Sequence, residues 1–150
     1  SSSATGILVN LSGQVIGIID SSHNSSDTRN LVSAIGITDL RKLIERMSND
    51  KDIPYLGIHG ADVTLQVHEE LDVPYGTYIM EIDMDSPAMA AGIQSGDVIT
   101  GIGDTKVTSY QELINGMMDM EPEETMTLTL LRQGPEGYTE MELPVTLGTR

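Results

Sequence analysis

One stretch limits what this chain can fold into more than any other: Asp85-Ser86-Pro87-Ala88-Met89-Ala90-Ala91-Gly92-Ile93-Gln94-Ser95-Gly96-Asp97-Val98-Ile99. Pro87 stands where a helix tolerates proline, in the first turn, and Gly92 can take the left-handed conformation that ends a helix after so few residues. Gly96 turns the chain again. Asp97 can accept backbone hydrogen bonds in that tight turn, ahead of the β-branched run Val98 to Ile102, which reads as a buried strand.

The segments on either side extend this order. Beyond Pro54 they read strand, strand, short helix, strand, helix, strand, strand. Ile58 to Val67 contains β-formers and Tyr78 to Ile82 alternates. Ser109 is an N-cap for a helix from Tyr110 to Met120, with Leu113, Ile114, Met117 and Met118 on its apolar side. Thr125 to Arg132 and Thr139 to Leu147 predict a hairpin across Gln133 to Gly137.

The first third of the chain is different. Gly6 to Leu11 and Val15 to Ile19, joined by Ser12-Gly13-Gln14, predict a hairpin that needs further strands to be stable alone. A polar loop, Ser21 to Asn30, leads to a short strand, Leu31 to Ile37. Thr38 then predicts the N-cap of a helix whose apolar residues Leu40, Leu43, Ile44 and Met47 share one face. Asn49 to Asp52 is the expected domain boundary, and Ile53-Pro54 opens an extended segment.

Composition narrows the function classes. Eight basic against twenty-three acidic side chains give a formal net charge of −15, which repels phosphate backbones and anionic membrane surfaces. Nucleic acid is therefore not an expected partner. Aromatic residues make up 3 %, all of them Tyr, so the core must be built from aliphatic residues and Met. Without Cys there is no thiolate catalysis, disulfide or Cys-based zinc site. No run approaches the length of about 20 apolar residues that crosses a bilayer. The chain opens on Ser and enters a strand at once, which reads as part of a longer polypeptide, with any membrane anchor or export signal upstream.

The stretch Ser86-Pro87-Ala88, Ala91-Gly92-Ile93, Gly96-Asp97-Val98-Ile99 resembles the signature of PDZ domains. Ahead of it, Tyr55-Leu56-Gly57-Ile58 resembles the carboxylate-binding loop of the PDZ domains of HtrA/Deg-family serine proteases, whose strand order is circularly permuted. The resemblance implies an α+β, mostly β fold: a permuted PDZ partial barrel with two helices, after a β-hairpin and linker helix left from a trypsin-like β-barrel. The corresponding divisions are residues 1–37, 38–52 and 53–150. A peptide's terminal carboxylate needs converging donors, which the amides of Leu56, Gly57 and Ile58 can supply at a glycine bend. The peptide would then add as a strand along Ile58 to Val63, opposite a helix presenting Tyr110, Ile114 and Met117, with Leu113 and Met118 turned to the core. Tyr55, Leu56, Gly57, Ile58, Tyr110, Ile114 and Met117 are thus the expected peptide-binding residues.

The first residues are similar to the end of the protease domain in the same family. Aligning Leu8-Val9-Asn10 with the family's Leu-Val-Asn puts Ala4 at the nucleophile position, Thr5 on a glycine and Ile7 on a proline. A methyl group has no oxygen with which to attack a carbonyl. A one-residue slip would put Ser3 there instead. Ser33-Ala34-Ile35-Gly36-Ile37 resembles the strand before the linker helix. In this family the triad His and Asp come from strands upstream of residue 1, so His23, His59 and His68 are not triad candidates.

His59 and His68 change charge near neutral pH and could tune peptide binding. With Asp62 they lack the tight spacing of a metal site, and no cofactor is expected. Asp83-Met84-Asp85 and Glu121-Pro122-Glu123-Glu124 read as solvated loops. Two readings stay open, beside a third and blander one, a scaffold whose groove is occupied by its own chain. One is a peptide-binding module that captures C-terminal ends of unfolded or partner proteins without proteolysis by this fragment. The other is the substrate-presenting part of an active serine endopeptidase. Family likeness implies an extracytoplasmic bacterial setting, membrane attachment through an upstream segment, and oligomerisation through a protease domain.

Overall fold

The computed structural model describes residues 6–19 and 34–149. Two compact units make up the chain, Ser1–Asn49 and Asp50–Arg150.

In the first unit, strands β1 (Gly6–Val9) and β2 (Val15–Ile19) form the expected antiparallel hairpin. Its turn is built by Asn10, whose Oδ1 accepts from the Ser12 and Gln14 amides at 2.9 Å each, and by Gly13 at φ +79°. Strand β3 (Ala34–Gly36) pairs antiparallel with β2. The expected loop Ser21 to Asn30 and the first residues of the strand expected from Leu31 lie outside the described residues. Helix α1 (Arg41–Ser48) starts later than Thr38 predicts, with Leu40 as an N-cap that lends no side-chain bond. The amides of Asp39 and Arg41 bond to the carbonyls of Gly36 and Thr38, so Thr38 is already inside a turn and cannot sit at a helix mouth.

The second unit runs β4 (Pro54–Tyr55), β5 (Ile58–Asp62), α2 (Leu65–Leu71), β6 (Thr77–Ile82), α3 (Pro87–Ala91), β7 (Val98–Ile102), β8 (Thr105–Lys106), α4 (Tyr110–Met118), β9 (Thr125–Gly134), β10 (Gly137–Thr146) and β11 (Gly148–Thr149). The main sheet has the order β10-β9-β7-β6-β5 with every neighbouring pair antiparallel, and β8 pairs with β7. The last strand, β11, returns to pair with the first, β4. Alternation along β9 sends Met126, Leu128 and Leu130 into the core, where they meet Leu56, Ile79, Ile99, Leu113 and Val145. Burial of this aliphatic set is the main stabilising term, at about 1.5–3 kcal/mol for each large side chain.

Residues 85–99 fold as their chemistry dictates. The Ser86 hydroxyl accepts from the Met89 amide at 3.2 Å, and Gly92 ends α3 at φ +83°. Asp97, only 1 % exposed, accepts from the Gln94 amide at 2.8 Å. Its charge has a partner that local reading does not reveal: Arg132 of β9 donates Nε to Oδ1 at 2.8 Å and Nη2 to Oδ2 at 2.7 Å, and also reaches the Gly92 carbonyl. This bidentate pair fastens the signature turn to the sheet. The side-chain hydrogen bonds to the Asp97 carboxylate also hold the Arg132 guanidinium above its ordinary pKa.

Two expectations need correction. The β-formers of Ile58 to Val67 do not make one strand, because Thr64 turns the chain and caps α2 by accepting from the Val67 amide, while Asp72 ends it at φ +54°. The PDZ-like unit therefore has three helices where two were expected. The hairpin loop is also tighter than Gln133 to Gly137, since pairing runs on to Gly134 opposite Gly137 and leaves Pro135 and Glu136 at the tip.

Candidate functional site

Tyr55-Leu56-Gly57-Ile58 joins β4 to β5, and Gly57 decides its shape. Gly57 sits at φ +81°, a conformation that residues with a Cβ rarely adopt. A Cβ there would also lie 2.3 Å from the Ser86 Cβ. The Leu56 carbonyl accepts from the Ala88 amide at 2.9 Å, so the Ser86-Pro87-Ala88 turn forms the back wall of the loop. Both motifs read separately from the sequence thus build one structure.

The Gly57 carbonyl accepts from the Asp83 amide at 2.9 Å, whereas the amides of Leu56 and Gly57 donate to no acceptor among the described residues. That bond also fixes the next residue. In an antiparallel ladder, bonded and non-bonded pairs alternate, so Ile58 opposite Ile82 is a non-bonded pair whose N–H and C=O point away from β6. Strand β5 is the edge of the sheet, and its outer side faces α4.

Helix α4 is placed by its first turn. Ser109 accepts from the Glu112 amide, and Glu112 Oε2 accepts from both the amide and hydroxyl of Thr108 at 2.8 Å. These bonds hold the Glu112 carboxyl below its ordinary pKa, the Thr108 amide foremost. Asp62, at the end of β5, accepts from the Tyr110 amide at 2.6 Å and ties helix to strand.

A cavity of about 210 Å³ opens between the loop, β5 and α4. All seven expected residues line it: Tyr55, Leu56, Gly57, Ile58, Tyr110, Ile114 and Met117. Met117, 4 % exposed, also belongs to the core, so it is the floor of the cavity. Leu113 is core, as expected. Met118 is not: it is half-buried and lines the cavity, because it stands four residues after Ile114, one turn further along the same helix face.

Sequence reading missed the role of Asp83. Its Oδ2 accepts from the Tyr55 hydroxyl at 2.5 Å and its Oδ1 is 2.8 Å from His59 Nε2, at the cavity's edge. Asp83 is therefore not a solvated loop carboxylate, and no local pattern encodes bonds that cross from β6 to β4 and β5. Burial first, and the Asp83 charge second, push the Tyr110 phenol above its ordinary pKa, so it stays protonated and is a donor.

His68 is bonded through Nδ1 to the Val73 carbonyl at 2.8 Å and stacks on Tyr75. His59, Asp62 and His68 thus turn to three separate partners. Ser3, Ala4 and His23 lie outside the described residues. A larger cavity, of about 450 Å³, is lined by Tyr75, Thr100, Lys106 and Thr129 and contains none of the loop residues.

Comparison with known proteins gives the same frame. The family profile described as PDZ domain matches residues 54–143. Serine protease Do-like HtrA of Lactococcus lactis subsp. lactis (strain IL1403) is 31 % identical, over 92 % of this chain and 37 % of the relative. Serine protease Do-like HtrB of Bacillus subtilis (strain 168) is 32 % identical, over 86 % of this chain and 31 % of the relative. The chain therefore spans about a third of the length of these curated relatives. The solved HtrA3 PDZ domain bound to a phage-derived ligand superposes with a TM-score of 0.54 at 23 % identity, covering 65 % of this chain and 86 % of that one. With the profile spanning most of the second unit, and the glycine-bend loop, edge strand and facing helix in the arrangement the motifs require, the chain belongs to the PDZ domain family.

Proposed function

We propose that this chain captures the free C-terminal end of an extended polypeptide, which adds as an antiparallel strand to the outer side of β5. The supporting observation is the loop itself: amides of Leu56 and Gly57 without acceptors among the described residues, at a bend that residues with a Cβ rarely make, heading an edge strand beside an apolar cavity. The carboxylate takes the amides, the last side chain enters between Leu56, Ile58, Ile114 and Met117, and the ligand backbone pairs along β5. His59 and Asp83 flank the entrance.

The likeness to HtrA-type proteases runs over nearly the whole chain, including residues ahead of the PDZ profile. This supports reading residues 1–37 as the end of a trypsin-like domain, 38–52 as a linker segment and 53–150 as the peptide-binding part of such a protein. Names of relatives such as the periplasmic serine endoprotease DegP of Escherichia coli (strain K12) support an extracytoplasmic setting. Ala4 at the aligned nucleophile position favours binding without cleavage by this fragment over substrate presentation to a working protease.

Titration with a library of C-terminal peptides and the same peptides amidated tests the proposal. Removing the terminal charge should weaken binding about tenfold or more, as expected for losing a charge-assisted hydrogen-bond set. Equal affinity of free and amidated peptides would sink the carboxylate role.

A further inference from the structure

Tyr110 stands across the path that a bound strand would follow. Its hydroxyl donates to the Ile58 carbonyl at 3.2 Å, the outward carbonyl at the head of β5. The ring lies over Gly60, where a Cβ would approach Cδ2 to 3.3 Å, and the Tyr110 amide is held by Asp62 from the far end of the same strand. Ile58 and Asp62, at opposite ends of the edge, are thus both bonded to one helical residue. A Cβ at position 60 would meet the Tyr78 carbonyl at 2.8 Å and Thr77 Cγ2 at 3.0 Å as well as the ring, so glycine there leaves room for the ring beside the strand.

We infer that Tyr110 is a latch that fills the free edge of β5 in the empty protein and must release the Ile58 carbonyl before a peptide can pair there. This rests on the strand-addition reading above. An antiparallel ligand places an N–H opposite that carbonyl, and in the groove geometry phenol and ligand N–H compete for it. Asp62 keeps the helix end close enough for the phenol to reach. The latch also shields an unpaired sheet edge that would otherwise invite other chains.

The experiment compares Tyr110→Phe with the unaltered 150-residue chain. Phenylalanine keeps the ring over Gly60 and removes only the donor. A hydrogen bond of this kind has a net worth of about two- to tenfold in an equilibrium, so the variant should bind a free C-terminal peptide about two- to tenfold more tightly. The gain should lie in the association rate. In the free protein the Ile58 carbonyl ¹³C resonance should move upfield as its donor is lost. Tyr110→Leu, which also uncovers Gly60, should bind faster than the unaltered chain. Equal or weaker binding by Tyr110→Phe, or an unmoved Ile58 resonance, overturns the latch. The amidated peptide run in parallel separates this from the parent reading: loss of the free-versus-amidated difference counts against carboxylate capture, whereas an unchanged Phe-to-Tyr ratio counts against the latch alone.

Discussion

Gly57 has two independent reasons to be glycine, its φ of +81° and the Ser86 Cβ 2.3 Å from where its own Cβ would stand. Gly57→Ala must therefore strain the loop and push back the turn that carries α3. Stability should fall by about 1–3 kcal/mol, read as a lower urea midpoint, and peptide binding should fall with it. Arg132 is the other residue whose loss is costly. Asp97 is 1 % exposed, and both its oxygens accept from that guanidinium, the cation paired with its charge. Arg132→Ala leaves a buried carboxylate without its cation, and removing one partner of such a pair costs about 3–5 kcal/mol. Thermal unfolding should show that loss, and replacing Asp97 with Asn in the same chain should recover part of it. Gly57, Gly92 and Asp97 were legible because each has a local conformational job. Arg132 was not, since its role depends on β9 lying beside β7, a long-range pairing that no short motif records.

At the scale of elements, α4 was legible almost to the residue because capping is local: Ser109 and Glu112 are three positions apart and bond as that spacing allows. Glu112 adds a pH dependence. Its folded pKa is lowered from an ordinary value of 4.5, so its contribution to stability is complete above that value and is lost as pH falls through the lower folded one. Glu112→Gln should flatten the acid limb of the melting curve below about pH 4.5. An unchanged acid limb would contradict this role. Helix α2 was missed for a physical reason. Residues 58–67 contain enough β-formers to read as strand, and the decisive signal was a single hydroxyl, Thr64, accepting from Val67. The groove-facing rows of α4 were legible except for Met118, because a helix has few apolar rows and neighbouring ones differ by a small rotation. Asp83 was invisible as a site residue, since its bonds to Tyr55 and His59 join three strands.

The whole molecule divides at Asn49/Asp50, and the second unit closes on itself by pairing β11 with β4. That closure makes a physical prediction: residues 50–150 alone should unfold in one cooperative transition and bind a C-terminal peptide within about twofold of the full chain. A non-cooperative melt would show that the first unit is needed for the fold. The central claim is narrower and concerns two backbone amides. Titrating ¹⁵N-labelled chain with a C-terminal peptide should move the Leu56 and Gly57 amide resonances strongly downfield as they engage the carboxylate, with weaker changes along β5, and the amidated peptide should leave both nearly in place. If those two resonances stay still while peptide binding saturates, the ligand is held somewhere else and the account is wrong.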